Sequence, residues 1–399
     1  MNVSMNLSLN NTQNAFAYKS NTDLKKAKWL FTVIQNPWIV SLGTRLTPML
    51  MKSGLPINGL IRNTIFNQFV GGETLEESAR VTKMLGSYGV EVILDYGVEA
   101  KEGDDSFDAV TEQFIAAIEF AATQDNVPFV SVKLTGLSSM HLLERLNEAP
   151  RLRSGIHDSE SDDAAWNRLK ERMYAICDVA EEHGVGILID AEETWIQDPI
   201  DRLAIELMGV YNKEKVVVYN TYQLYRSDRL RFLQLSHKIA AEGKFILGAK
   251  LVRGAYMEKE RARAEKMGYP SPIQTDKSAT DADFDAAVLY CLDHLDQIAF
   301  ILASHNEASN LKCAQLMQNK GLPNNHNHIH FSQLYGMSDH ISFNMASEGF
   351  KVSKYLPFGP LQDVIPYLMR RAQENSSVNG QTNRELLLIR QEIARRKAK

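Results

Sequence analysis

The chain has 399 residues, 44% hydrophobic and 23% charged, with a formal net charge of −5. It is long enough for one large α/β barrel with an extension, and it lacks the broad basic surface that nucleic acid needs. Cys177, Cys291 and Cys313 lie far apart, excluding a disulfide framework or CxxC zinc knuckle, and no apolar run approaches the roughly 18 residues of a spanning helix.

The opening stretch, MNVSMNLSLNNTQNAFAYKS, is Asn/Ser-rich and contains no arginine. It matches neither a secretory signal nor an Arg-rich presequence, so a cytoplasmic protein is expected, with contact to a membrane surface left open. Residues 1–87 read as an N-terminal helical extension. Within it, Thr22–Pro37 has apolar residues at helical spacing, an Asp near its start and a proline at its end.

From about residue 88 the pattern changes to short β-rich runs separated by longer helical segments. The runs are Val90–Glu99, Phe129–Leu137, Val185–Glu193, Val216–Gln223, Phe245–Tyr256, Ala299–Asn306, His328–Met337 and Phe350–Gly359. Several are nearly continuous in Val, Ile and Leu, as parallel strands covered on both faces require. Segments between them, such as Ala164–Gly184, are helical and end at glycine. Eight strand–helix alternations over 88–380 predict an α/β protein with a (βα)8 TIM-like barrel, and no GxGxxG opens a helix to support a doubly wound sheet. The charged stretch Ser138–Trp166 reads as a surface loop carrying a short helix. Residues 381–399 read as a C-terminal amphipathic helix, either a solvated surface element or a contact for a membrane or partner.

In such barrels the chemistry sits where strands run into their following loops. Those ends carry Asp95 and Glu99, Lys133, Asp190 with Glu192, Asn220 with Gln223, Arg253 with Tyr256, His305 with Asn306, Gln333, and Tyr355. In KLVRGAY, the small Gly254 and Ala255 let backbone approach a flat or phosphorylated ligand, between the basic Lys250 and Arg253; a tight turn solvated by its own charges is the alternative. The HNHIH run would put His328 and His330 on one strand face, with His305 or Asp190 as further ligands. It falls at the start of a strand, the stability face of a barrel, and no metal site is expected.

The stretch KYLPFGPLQDVIPYLMRRAQEN follows the last strand. Asp363 reads as the cap of a helix with Pro366 in its first turn. Residues three and four apart share a helix face, so Tyr367 lies beside Arg370 and Arg371, and Glu374 beside both arginines. Paired guanidinium forks on a helix over a barrel mouth are suited to holding a carboxylate, with Glu374 fixing one rotamer; a surface Arg–Arg–x–x–Glu ladder is the plainer alternative.

Taken in order, SVKLTGL, IDAEET, NTYQ, KLVRGAY, ASHN, QLYGM, YLPFGP and YLMRRAQEN resemble the proline dehydrogenase family over nearly the whole barrel. The resemblance implies a distorted (βα)8 barrel that carries FAD, oxidises L-proline to Δ1-pyrroline-5-carboxylate by hydride transfer from C5 to flavin N5, and passes electrons to a quinone at a membrane. It implies product use by a pyrroline-5-carboxylate dehydrogenase. Arg370 and Arg371 match the family's carboxylate-binding pair, Glu374 their supporting acid, Lys133 the active-site lysine, Asp190 the aspartate after the third strand and Glu99 an acid near the entrance. Tyr256, Leu334, Tyr355 and Tyr367 match the walls around the pyrrolidine ring, with Tyr256 and Tyr355 among the catalytic set. Asn220, Lys250, Val252, Arg253, Gly254, Ala255, Ser304, His305 and Asn306 fall where relatives hold FAD, and Glu374 is assigned there too. Lys250 and Asn220 depart from bacterial bifunctional relatives, which carry Arg and Gln, and look like the mitochondrial-type branch. Hydroxyproline-specific relatives have a small residue where Tyr355 stands. A hydroxyproline dehydrogenase is therefore the first alternative, and a metal-dependent barrel hydrolase using His305, Asp190 and His328 the second.

Overall fold

The computed structural model describes residues 7–36, 38–44, 58–97, 102–148, 160–377 and 379–398, without the side chains of 160, 161 and 374–381. Pro37, Glu99 and the Glu374 side chain lie outside the described residues. Eight strands, β1 (Glu91–Tyr96), β2 (Phe129–Val132), β3 (Gly186–Ile189), β4 (Val218–Gln223), β5 (Leu247–Val252), β6 (Ile298–Ala303), β7 (Ile329–Leu334) and β8 (Val352–Phe358), close into a parallel barrel in sequence order. Each expected run matches one strand, with β6 opening one residue before its run. The runs were longer than the strands because their polar ends, such as Asp190 and Arg253, belong to the loops that follow. The Ser138–Trp166 stretch is more helical than expected. Leu142, Leu143 and Leu146 bury one side of a helix over Met140–Glu148, and a second helix opens at Glu160.

The described residues divide into two compact units, one spanning 102–332 and the other 7–97 with 333–398. In the first, strand alternation sorts side chains between the barrel axis and the helical layer. Phe129 faces inward and meets the rings of Tyr219, at 5.5 Å between centroids, and His330, at 5.1 Å, both edge-on. These rings fit because Gly186 and Gly248 sit opposite. A Cβ would come within 2.6 Å of the Phe129 ring at the first, and 2.2 Å of the Val218 carbonyl oxygen at the second. The histidines of HNHIH are thus engaged structurally. His330 belongs to this ring layer, and His328 Nδ1 lies 2.6 Å from the Leu295 carbonyl oxygen. Among the described residues no group of three His, Cys, Asp or Glu is placed to hold a metal ion. Cys177, Cys291 and Cys313 are buried, which pushes their thiols far above the usual range.

The second unit holds β1, β8, the end of β7 and both terminal segments. The N-terminal helix runs Asn21–Ile34 and opens with a reciprocal cap between Ser20 and Asp23. Its Leu24, Phe31 and Ile34 bury against Phe66, Phe69, Val364, Leu368, Leu386 and Ile389. The last two belong to the C-terminal helix, Asn379–Lys397, whose apolar stripe is therefore covered rather than solvated. Its basic end is also committed. Arg396 donates to the carbonyl oxygens of Phe16 and Lys19, each at 2.8 Å, and the buried Glu392 accepts from Arg395 and Arg396, both at 2.7 Å, and from Thr12. The helix after β8 begins at Leu361, because Gly359 turns the chain at φ +143° and the Pro360 carbonyl takes the first helical amides. Asp363 is consequently inside the first turn rather than the cap, and Pro366 stands in the second turn rather than the first.

Candidate active site

Three charged groups meet inside the first unit. Lys133, just after β2, places Nζ 3.3 Å from Asp190 Oδ2, and the buried Lys250 of β5 donates to Asp190 Oδ1. Ser131 donates to the same oxygen at 2.8 Å. Strand alternation explains the meeting: Ser131 and Lys133 share the inward face of β2, and β5 puts Lys250 on the same side as Gly248. Two ammonium groups against one carboxylate leave the cluster with a net positive charge.

Beside it, Thr135 donates its amide (3.2 Å) and hydroxyl (2.5 Å) to the carboxylate of Glu192. Burial nevertheless pushes the Glu192 carboxyl up to about 7, with Thr135 and Lys133 pulling the other way. The unfolded chain holds that proton only to about pH 4.5. Between these values the folded state binds the extra proton, so this stabilisation is full below pH 4.5 and lost as pH rises through about 7. The unfolding free energies of wild type and Glu192→Gln should draw apart by about 3 kcal/mol across that window, the wild type losing ground as pH rises. Urea titrations at pH 5 and pH 8 measure it, and parallel curves would refute the assignment.

At the exits of β5 and β6, Arg253 donates to Asp281 (2.7 Å), Ser304 Oγ (2.7 Å) and Ser309 Oγ (3.0 Å), and its guanidinium lies 4.2 Å from the Phe284 ring centroid. Asn306 caps the helix Glu307–Asn319 by accepting from the Ser309 amide at 3.1 Å. His305 is half-buried between Ser304 and Asn306. Gly254 is exposed at φ +138°, where a Cβ would fall 2.3 Å from the Tyr225 ring, so only glycine fits. Val252, Ala255 and the half-buried Tyr256 share this exit, and Tyr256 opens the helix Met257–Met267. The fold thus gathers an arginine, a helix N-terminus and accessible backbone on adjacent strands.

Asn220 is not brought to this region. Its amide donates to Asp201 Oδ1 at 2.9 Å on the helix Thr194–Tyr211, and Asp201 also takes Arg229 and Gln197. Asn220 and Tyr222 face the helical layer, whereas Tyr219, Thr221 and Gln223 face the axis. Gln223 is buried and donates to the Glu192 carbonyl oxygen at 2.7 Å. The strand's period of two sets Asn220 and Gln223 on opposite faces of β4.

In the second unit, Tyr355 sits on β8 opposite Ile93 of β1, and its carbonyl accepts from the Tyr335 amide at 2.9 Å. Leu334 ends β7 and is partly buried against the terminal-helix core. On the helix Leu361–Ser377, Tyr367 is buried in that core, and the Arg371 guanidinium lies 5.3 Å from its ring centroid, as their spacing of four predicts. Arg370 and Arg371 are both half-buried.

A family model described as proline dehydrogenase matches residues 78–384. The carbapenem antibiotics biosynthesis protein CarD of Pectobacterium carotovorum subsp. carotovorum is 35% identical, over 85% of this chain and 86% of its own length. Proline dehydrogenase 1, mitochondrial, of Dictyostelium discoideum is 32% identical, over 96% of this chain and 74% of its own. Proline utilization A from Bdellovibrio bacteriovorus, solved after inactivation by N-propargylglycine, superposes with a TM-score of 0.70 at 23% identity, covering 79% of this chain and 33% of that one, a likeness of fold.

Proposed function

Since the chain belongs to the proline dehydrogenase family, we propose that it oxidises L-proline to Δ1-pyrroline-5-carboxylate, with FAD as the hydride acceptor and a quinone as the final electron acceptor. The observation that carries this reading is the positive Lys133–Asp190–Lys250 cluster in a barrel whose last helix bears Tyr367, Arg370 and Arg371 together.

The residues fit a flavin nucleotide. The exposed backbone at Gly254 and Ala255 accepts a flat or phosphorylated group closely, and Arg253 with the Asn306-capped helix offers a diphosphate its usual partners. Val252, Ser304 and His305 belong to the same exits, and the charge of Lys250 suits an electron-rich ring. FAD, when bound, supplies the acceptor for the hydride that leaves C5.

The protein's own part is binding, orientation and field. Arg370 and Arg371 take the substrate carboxylate in bidentate fashion, with Glu374 proposed to hold one fork in place. Their charges also disfavour protonation of the substrate's ring nitrogen, keeping it neutral so that its lone pair assists hydride loss. Loss of the remaining N–H proton then leaves the C=N bond of the product. Leu334, Tyr355 and Tyr367, all in the second unit, are proposed to wall the pyrrolidine ring and keep water away. No helix of the described residues is long and apolar enough to cross a membrane.

The test is direct: purified protein should be yellow, its flavin absorbance should bleach with proline, and a quinone analogue should restore it. A colourless preparation that stays inert after FAD is added overturns the reading. The bulk of Tyr355 further predicts a higher kcat/KM on L-proline than on trans-4-hydroxy-L-proline. The reverse order in steady-state kinetics would make hydroxyproline the substrate.

A further inference from the structure

Buried polar side chains from distant parts of the second unit converge behind the loop that joins β7 to the helix Asp339–Ser347. Lys354 of β8, fully buried, places Nζ 2.9 Å from Asp339 Oδ1 and donates to the Met337 carbonyl oxygen at 2.5 Å. Tyr18 of the N-terminal segment donates to Asp339 Oδ2 at 2.7 Å. Glu385 of the C-terminal helix accepts the Ser338 amide and stands 4.0 Å from His340 Nδ1. Gln68 donates to the Gly336 carbonyl oxygen at 2.6 Å.

The loop is held in a costly conformation. Ser338 has φ +51°, and among the described residues only Lys244 shares a positive φ without being glycine. Lys244 ends a helix, where that conformation is ordinary. Ser338 does not, and a strained backbone persists only where its surroundings over-determine it. Leu334 enters this loop, and the Tyr335 amide bonds the carbonyl of Tyr355, the residue next to Lys354. Adjacent strand residues face opposite ways, so Lys354 reaches the network behind β8 while Tyr355 faces the axis.

We infer that Tyr18, Asp339, Lys354 and Glu385 form a latch that positions Leu334 and Tyr355, making both chain termini determinants of which ring the substrate site accepts. This rests on the reading of Leu334 and Tyr355 as walls of the proline ring. Its signature is selectivity: partial unfolding lowers turnover of two substrates alike, whereas a displaced Tyr355 changes their ratio.

The experiment uses the FAD-loaded full chain and its Glu385→Ala, Glu385→Gln and Tyr18→Phe variants. Glu385→Ala should narrow the preference for L-proline over trans-4-hydroxy-L-proline by about tenfold, because the pocket wall is no longer pinned. Glu385→Gln keeps an acceptor for the Ser338 amide and should stay within about twofold of wild type. Amide hydrogen exchange over residues 335–339 should rise in Glu385→Ala at unchanged flavin content. A wild type inert toward both substrates sinks the functional reading. An active wild type whose preference survives unchanged in Glu385→Ala sinks the latch. Should that variant fail to fold, Tyr18→Phe, which removes one hydroxyl, is decided by the same ratio.

Discussion

Replacing Arg371 with methionine is expected to raise the KM for L-proline by about two to four orders of magnitude while bound flavin stays in place. A bidentate grip loses two charge-assisted hydrogen bonds of about 1.5–3 kcal/mol each, and every 1.4 kcal/mol is about a factor of ten. Methionine keeps an unbranched stem beside the Tyr367 ring, so the helix loses little packing and the effect falls on the anion. A change to lysine should also be costly, because an ammonium cannot reproduce a planar fork. Steady-state kinetics with a dye acceptor, alongside the flavin-to-protein absorbance ratio, reads both quantities. A KM within experimental error of wild type would remove the clamp from the mechanism.

Lys354→Met should destabilise the fold by about 3–5 kcal/mol, the cost of leaving a buried charge without its partner. Burial works to raise the Asp339 carboxyl, yet Lys354 outweighs it and holds Asp339 below its usual range; burial in turn lowers the Lys354 ammonium. Methionine matches the lysine stem in length, so the cavity contribution is small and the loss reports on charge. The double variant Lys354→Met with Asp339→Leu should recover much of the loss, since an apolar pair of similar volume often replaces a buried ion pair at little cost. Urea midpoints of the singles and the double form the cycle. If the double variant is less stable than Lys354→Met alone, the pair is not what sets the cost.

The barrel was legible because several of its strands are apolar runs of a length that helices do not have, punctuated by glycine-terminated helical segments. The face shared by Tyr367 and Arg371 was legible for a similar reason, since helical spacing fixes neighbours irrespective of the rest of the fold. What escaped depends on partners remote in sequence. Asn220 and Gln223 differ in role only through the phase of β4, and that phase is set by which side finds Phe129 and which finds Asp201. The cap at Asp363 was misplaced by a single turn because the Pro360 carbonyl could do the same work earlier. The C-terminal helix looked solvated because its buried partners, Leu24 and Phe31, stand more than half the chain away. Burying Lys354 and Glu385 is not a pattern that composition carries, since isolated charges are read as surface.

The hold that Arg396 and Glu392 exert on Thr12, Phe16 and Lys19 has a consequence for how the molecule is made. Those contacts join residues up to 380 positions apart. A ribosome delivers Thr12 and Phe16 some 380 residues before Glu392 and Arg396. Until that later helix emerges, the carbonyls of Phe16 and Lys19 must find water or a chaperone instead, and the segment around them settles only afterwards.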